Sequence, residues 1–225
     1  MYNYKENDLA SHALLITASQ AVGKTTIRGI AKDSNIYPTV QALRLMGVKI
    51  TENNSVYTVH GVGVGGLVAP KNVLDVGSSD ISAHLLIGLL STYSFTSFFT
   101  GNIDLRSKPI SETIKALSSM CVGFIANSNS FPIAVVGSDS TIPISYTLTI
   151  PSAKIKSAIL FAALNTAGKT TITEIRSTNN CTETILKRFG ANLDISKDIN
   201  GHNIIAIYGR EELLAQEEYI KSLDI

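Results

Sequence analysis

Three stretches of the chain change from a helical to an extended spacing of apolar residues. In each, apolar side chains recur at three- and four-residue intervals, and the interval then shortens. This spacing predicts an amphipathic helix followed by a strand. Gly47 and Gly190 stand at two of the joins and suit a helix C-terminus with positive φ, while Cys121 takes that place in the third. The stretches are residues 39–50, 111–124 and 182–195.

A longer pattern precedes each of these stretches. ALLITASQAVGKTTIRGI from Ala13 and AILFAALNTAGKTTITEI from Ala158 begin 158 − 13 = 145 residues apart, and a more divergent copy, SAHLLIGLLSTYSFTSFFTG, begins at Ser82. Each reads as an apolar helix followed by a β-branched strand. The chain therefore contains an internal repeat, and such a repeat decides the fold.

Each copy also ends in a predicted strand that runs into a glycine, namely Gly61, Gly137 or Gly209. Copies two and three open with further predicted strands, LVAPKNVLDV (67–76) and ISYTLTI (144–150), whereas no such strand is recognisable in copy one.

The predicted fold is α/β: a single domain of three β-α-β-α-β-β repeats, at about residues 1–66, 67–142 and 143–209. One unit cannot bury both its sheet and its helices, so the three must pack together. The helices would lie inside and the sheets outside, or the reverse. Residues 210–225 follow the last repeat and are expected to be a helical tail or a linker toward a second domain.

Two Gly-Lys-Thr sequences, at Gly23 and Gly168, match a relaxed phosphate-loop pattern. A phosphate loop needs a strand before it and a helix after it, so that loop amides and the helix N-terminus converge on phosphate. Here the predicted order is helix and then strand. We therefore expect Lys24 and Lys169 to be solvated lysines at turns, and keep a nucleotide-binding loop as an alternative.

Composition limits the function classes. Nineteen Lys and Arg against eighteen Asp and Glu give a net charge of +1, which argues against a nucleic-acid-binding protein. Two cysteines are too few for a disulfide framework, and their spacing matches no zinc site. The N-terminus lacks an apolar signal region, and no apolar run spans a membrane. We expect a cytoplasmic protein with no metal, no other cofactor and no membrane partner.

Six segments in order resemble the enolpyruvyl transferase family, and within it the EPSP synthases. VHGVGVGGLVAP from Val59 is similar to the family's VHGVGGLKAP, and FTGNIDLRSKPI from Phe99 to its LTGDESLRKRPM. IPSAKIKSAILFAAL from Ile150 resembles its VASAQVKSALLLAGL. The resemblance covers about residues 9–209 and implies one domain of the family's inside-out α/β barrel, whose active site lies between two such domains.

The resemblance implies transfer of the carboxyvinyl group of phosphoenolpyruvate to shikimate 3-phosphate, a step toward aromatic amino acids, through a tetrahedral intermediate and without a metal. This chemistry needs a cationic cleft, together with an acid and a base. The family's Lys, Ser and Arg in its opening motif are replaced here by Asp8, Leu9 and Ala13.

Three residues still match ligand positions of the family. Ser152 matches a serine that binds shikimate 3-phosphate, Lys154 stands in place of a glutamine, and Lys108 replaces an arginine that binds phosphoenolpyruvate. Asp80 stands where the family has a glycine, and Asp at that point is expected to be an N-cap. Lysine keeps the charge of arginine but not its bidentate geometry.

We therefore expect a truncated relative that retains the fold and is catalytically inactive by itself, with no catalytic residue assigned and with Ser152, Lys154 and Lys108 as substrate-binding candidates. One alternative is half of a split enzyme, which needs a partner chain with the second domain. The other is the nucleotide-binding loop. Self-association through the exposed cleft face is a further expectation.

Overall fold

The computed structural model describes residues 4–30, 35–127 and 130–219. Its first unit contains α1 (Tyr4–Gln20), β1 (Ala21–Arg28), α2 (Tyr37–Leu45), β2 (Lys49–Asn53) and β3 (Val56–Val62). The second contains β4 (Leu74–Asp75), α3 (Asp80–Leu90), β5 (Thr96–Thr100), α4 (Ile103–Arg106), α5 (Ser111–Ser118), β6 (Gly123–Ala126) and β7 (Ile133–Val136). The third contains β8 (Ser145–Leu148), α6 (Ala153–Leu164), β9 (Gly168–Glu174), α7 (Cys181–Arg188), β10 (Leu193–Lys197) and β11 (Asn203–Gly209), and is followed by β12 (Leu213–Leu214) and β13 (Glu217–Tyr219).

The strands form three sheets with the same order. The second and third sheets run β4-β5-β7-β6 and β8-β9-β11-β10, with the first pair parallel and the others antiparallel. In the first sheet, β1, β3 and β2 repeat the antiparallel part. This confirms the predicted fold class of three β-α-β-α-β-β units.

The first strand of the first unit comes from the C-terminal side of the chain. β12 and β13 both pair parallel with β1. They take the position in the first sheet that β4 takes in the second sheet and β8 in the third. Residues 210–225 were expected to lie outside the repeats, as a helical tail or a linker. Up to residue 219 they instead complete the first sheet, with Leu213 fully buried. The two strands have two and three residues, too few to show a period in the sequence.

The predicted strand at 67–76 is also shorter in the structure. Only Leu74 and Asp75 form β4, which pairs with Phe99 and Thr100 of β5. Pro70 lies in the predicted stretch and lacks the N–H that a sheet ladder requires.

The helices lie inside and the sheets outside. Every residue of α3 from Ser82 to Leu90 and of α6 from Ile155 to Leu164 is buried. The two helices pack closely, because a Cβ placed on Gly88 would lie 2.2 Å from the carbonyl oxygen of Ala158. β9 instead alternates between buried and partly exposed positions from Thr170 to Glu174, as expected of a sheet with one face in solvent.

The glycines at the strand ends have a common steric cause. A Cβ on Gly61, Gly137 or Gly209 would lie 2.0–2.2 Å from a backbone carbonyl oxygen just beyond the end of the unit's first helix. At the ends of the second helices, φ is +92° at Gly47, +95° at Gly190 and +68° at Cys121, as predicted.

In each unit a side-chain hydrogen bond at an equivalent position joins the two main helices. The first-helix residues are 84 − 12 = 72 and 157 − 84 = 73 residues apart, so the bond follows the repeat. The apolar spacing that predicts the helices does not reveal this bond. The bonds join His12 Nδ1 to Thr39 Oγ1 (2.7 Å), His84 Nδ1 to Thr113 Oγ1 (2.6 Å) and Ser157 Oγ to Thr182 Oγ1 (2.7 Å).

The Gly-Lys-Thr sequences do not form phosphate loops. Lys24 lies in β1 after α1, and Lys169 lies in β9 after α6, so each helix precedes its strand as predicted. Both side chains are exposed, although they stand on strands rather than in turns. No helix N-terminus follows either glycine directly, which removes the basis for the nucleotide-binding alternative.

Candidate functional site

An open cleft of about 620 Å³ lies at the N-terminal ends of α3 and α6. Unpaired backbone N–H groups at helix N-termini favour negative charge nearby, so this end of the domain suits an anion. The residues that line the cleft are Asp8, Leu9, Asn35, Ser78, Ser79, Asp80, Ile81, Lys108, Pro151, Ser152, Ala153, Lys154 and Asn179.

The structure brings the three predicted binding residues into this one cleft. Ser152 is the N-cap of α6, and its Oγ accepts a hydrogen bond from the Ile155 N–H at 3.4 Å. Lys154 is the second residue of α6 and is partly exposed, and Lys108 lies just beyond α4 and is exposed. They come from two repeats, and the fold places them on one surface.

The prediction that Asp80 caps α3 is wrong by one residue. Ser79 is the N-cap, because its backbone is extended and its Oγ accepts from the Ser82 N–H at 3.2 Å. Asp80 is the first residue inside the helix. Its carboxylate is therefore available for contacts across the cleft.

The Asp80 carboxylate is held by two basic side chains. Lys154 Nζ donates to Oδ2, and Oδ1 lies 3.2 Å from Nε2 of His84. Burial alone would raise the pKa of Asp80, but His84 and Lys154 together hold that pKa well below its usual range. The cleft therefore contains a fixed negative charge at neutral pH. The spacing of this pair is a signal in the sequence that could have predicted it, because Asp and His four residues apart on a helix are neighbours.

A related Asp–His pair stands on α1. Asp8 Oδ1 lies 3.8 Å from Nε2 of His12, and both residues precede Asp80 and His84 by 72 positions (80 − 8 and 84 − 12). Burial lowers the pKa of His12 to about 4, and Asp8 opposes this only in part. The charged residues that line the cleft within the described chain are thus two aspartates and two lysines, with a formal sum of zero.

Arg106, the last residue of α4, holds the preceding turn through two hydrogen bonds. Its Nε donates to the carbonyl oxygen of Gly101 at 2.7 Å, and its Nη2 donates to Thr100 Oγ1 at 3.1 Å. Two of its donors are therefore used by the protein.

A buried ionic cluster lies in the third unit, away from the lining of the cleft. Lys156 Nζ is 3.0 Å from Oε1 of Glu174 and 2.6 Å from Oε1 of Glu183. Burial raises the pKa of Glu183. Burial acts the same way on Glu174, but hydrogen bonds from Thr178 and the charge of Lys156 lower its pKa overall. This cluster was not predicted from the sequence.

The described residues contain no group of three or more His, Cys, Asp and Glu side chains placed to hold a metal ion. They also contain no helix that is both long enough and apolar enough to cross a membrane.

The chain is similar to curated proteins over most of its length. It is 39% identical over 211 residues to the 3-phosphoshikimate 1-carboxyvinyltransferase of Rhodospirillum rubrum, covering 91% of this chain and 47% of that protein. It is 38% identical over 205 residues to the protein of the same name from Paramagnetospirillum magneticum, covering 90% and 46%. The chain therefore spans about half the length of the curated relatives it matches.

The solved EPSP synthase of Acinetobacter baumannii has the same fold over the matched part. It superimposes with a TM-score of 0.86 at 33% sequence identity, covering 93% of this chain and 47% of the other. The family model described as EPSP synthase (3-phosphoshikimate 1-carboxyvinyltransferase) matches residues 9–222. The described fold, the relatives and the family model agree, and the chain belongs to the EPSP synthase family.

Proposed function

We propose that the cleft is a low-affinity half-site for phosphate-bearing ligands of the EPSP synthase reaction, shikimate 3-phosphate and phosphoenolpyruvate, and that this chain alone does not transfer the carboxyvinyl group. The observation that carries the proposal is the convergence of Ser152, Lys154 and Lys108 on one cleft. Two long helices point their N-termini at the same cleft, which adds a favourable field for a phosphate group.

Weak binding is expected from the charges already present. Lys154 is paired with Asp80, and the second lysine is balanced by Asp8 in the formal charge of the lining. Lys108 is exposed, so water screens its interaction with a phosphate. A dissociation constant near 1 mM corresponds to about −4 kcal/mol, and we expect binding of that order.

The proposal that turnover is absent rests on replaced family residues and on the openness of the cleft. Asp8 stands in place of the lysine of the family's opening motif, so the cleft has a negative charge where the family has a positive one. Leu9 occupies one position where the family has a polar ligand residue, and Ala13 occupies another and is fully buried. The cleft is also open on one side, so it does not exclude water from a reacting group.

The test is a ligand-observed NMR titration of the chain with shikimate 3-phosphate, followed by phosphoenolpyruvate, and a phosphate-release assay on the same sample. We expect weak binding, loss of binding in Lys154→Gln together with Lys108→Gln, and no released phosphate. Lys187→Gln, which removes an exposed lysine from α7, is the matched control and should bind as the parent does. Absence of binding by the folded parent chain would refute the half-site, and phosphate release by the parent alone would refute the absence of turnover.

A second candidate function is one half of a split enzyme. The relatives are about twice as long as this chain, and we propose that full transfer needs the remaining half of their fold. Mixing the chain with the other half of the Rhodospirillum rubrum relative should then produce phosphate release that neither part gives alone. Self-association is the other way in which we propose that the cleft face is covered, and sedimentation of the unmixed chain would distinguish it from pairing with a second half.

From the two free cysteines we propose a cytoplasmic location.

A further inference from the structure

Asp80 holds the lysine that is expected to meet a phosphate. Lys154 reaches across from α6 to donate to Oδ2 of Asp80 on α3, while Oδ1 lies 3.2 Å from Nε2 of His84. Both carboxylate oxygens are therefore engaged, and Lys154 is already matched with an anion from within the chain.

The Asp80 carboxylate is also held by His84, whose ring is itself fixed by a hydrogen bond. His84 is 7% exposed, and its Nδ1 lies 2.6 Å from Oγ1 of Thr113, which is 1% exposed on α5. If Asp80 releases Lys154, its contact with His84 still keeps the negative charge at the N-terminus of α3. A phosphate that pairs with Lys154 therefore meets that charge at close range, where like charges repel strongly.

We propose that Asp80 is a specificity-determining residue of the cleft: its carboxylate takes the position of a ligand anion beside Lys154 and so keeps the affinity for phosphate groups low. The inference rests on the proposed function, because it requires the cleft to be an anion site. Asp80 acts as a competing anion that is part of the chain, and removal of its charge frees Lys154 to pair with a ligand.

The experiment compares four proteins in a titration with inorganic phosphate and, separately, with phosphoenolpyruvate, each shown to be folded by circular dichroism. Asp80→Asn keeps the size of the side chain and removes its charge. Asp194→Asn removes the same charge from an exposed position on β10. Asp80→Asn combined with Lys154→Gln tests whether any gain passes through the lysine.

We expect Asp80→Asn to bind both anions about tenfold more tightly than the parent, or better, with Asp194→Asn unchanged. The double variant should lose most of the gain. If the parent binds and Asp80→Asn binds no more tightly, the role of Asp80 is overturned while the half-site stands. A gain of the same size in Asp194→Asn would reduce the effect to net charge and would also overturn it. If none of the folded proteins binds either anion, the half-site itself is refuted.

Discussion

Nζ of Lys156 lies 2.6 Å from Oε1 of Glu183, and neither side chain is more than 1% exposed. The same nitrogen is 3.0 Å from Oε1 of Glu174, so one lysine of α6 joins α7 and β9. Taking charges out of water is costly, and such a cluster is tolerated only while its members stay together. Removal of one member should therefore lower the free energy of unfolding strongly.

Lys156→Met should lower the free energy of unfolding by about 3–5 kcal/mol, because it leaves two buried carboxyl groups without their cation. Urea unfolding at pH 7 measures the effect. Lys187→Met, at an exposed position on α7, should change it by about 0.5 kcal/mol or less. Adding Glu174→Gln and Glu183→Gln to Lys156→Met should recover part of the loss. Equal stability of the two single variants would show that the cluster contributes nothing.

The C-terminal strands should matter for the stability of the first unit. Leu213 and Leu214 are neighbours in β12, but the first is fully buried and the second is 56% exposed. Leu213→Ala should cost about 2–5 kcal/mol, whereas Leu214→Ala should cost about 0.5 kcal/mol or less. Urea unfolding of both variants checks this. Equal losses would mean that β12 does not pack on the core as described.

Much of the fold was predictable because the repeat shows the same pattern three times. The helix-to-strand changes, the strands that end in glycine and the number of units all follow from local spacing, and the structure confirms them. The C-terminal strands were not predictable in this way. β13 pairs with residues 26–28 of β1, which stand almost two hundred positions earlier, and such a contact leaves no local period.

The sequence indicated three residues that line the candidate cleft, but it did not reveal the balance of charge there. The family pattern pointed to Ser152, Lys154 and Lys108, and all three line one cleft. The pairing of Lys154 with Asp80 depends on the approach of α3 and α6, which residue spacing does not reveal. The N-cap prediction failed because Ser79 and Asp80 are both good caps and only the backbone decides between them.

The glycine at the end of the third repeat should be intolerant of a methyl group. A Cβ on Gly209 would lie 2.0 Å from the carbonyl oxygen of Thr166, whereas a Cβ on Gly201 meets nothing within 4 Å. Gly209→Ala should cost about 3 kcal/mol through overpacking against backbone. Gly201→Ala should cost about 1 kcal/mol, from its positive φ alone. Thermal unfolding compares the two, and a Gly209→Ala variant no less stable than Gly201→Ala would contradict the close approach.

Buried His12 should make stability fall at mildly acid pH. Its pKa is about 4 in the folded chain, because burial disfavours the imidazolium, and near 6.5 when the chain is unfolded. Below pH 6.5 the unfolded chain takes up a proton that the folded chain does not, so stability is complete above this pH and falls toward pH 4. This difference in the pKa of His12 corresponds to a loss of about 3 kcal/mol in the free energy of unfolding.

Urea unfolding between pH 7.5 and 4 measures this fall, and His12→Asn tests whether His12 causes it. That variant should be less stable at pH 7, because it loses the hydrogen bond with Thr39 in its native geometry, yet its stability should change less with pH. His60→Asn, which removes an exposed imidazole from β3, is the control and should show the same fall in stability as the parent chain. If His12→Asn and the parent lose the same stability between pH 6.5 and 4, the acid sensitivity comes from other groups and His12 is not held neutral in the core.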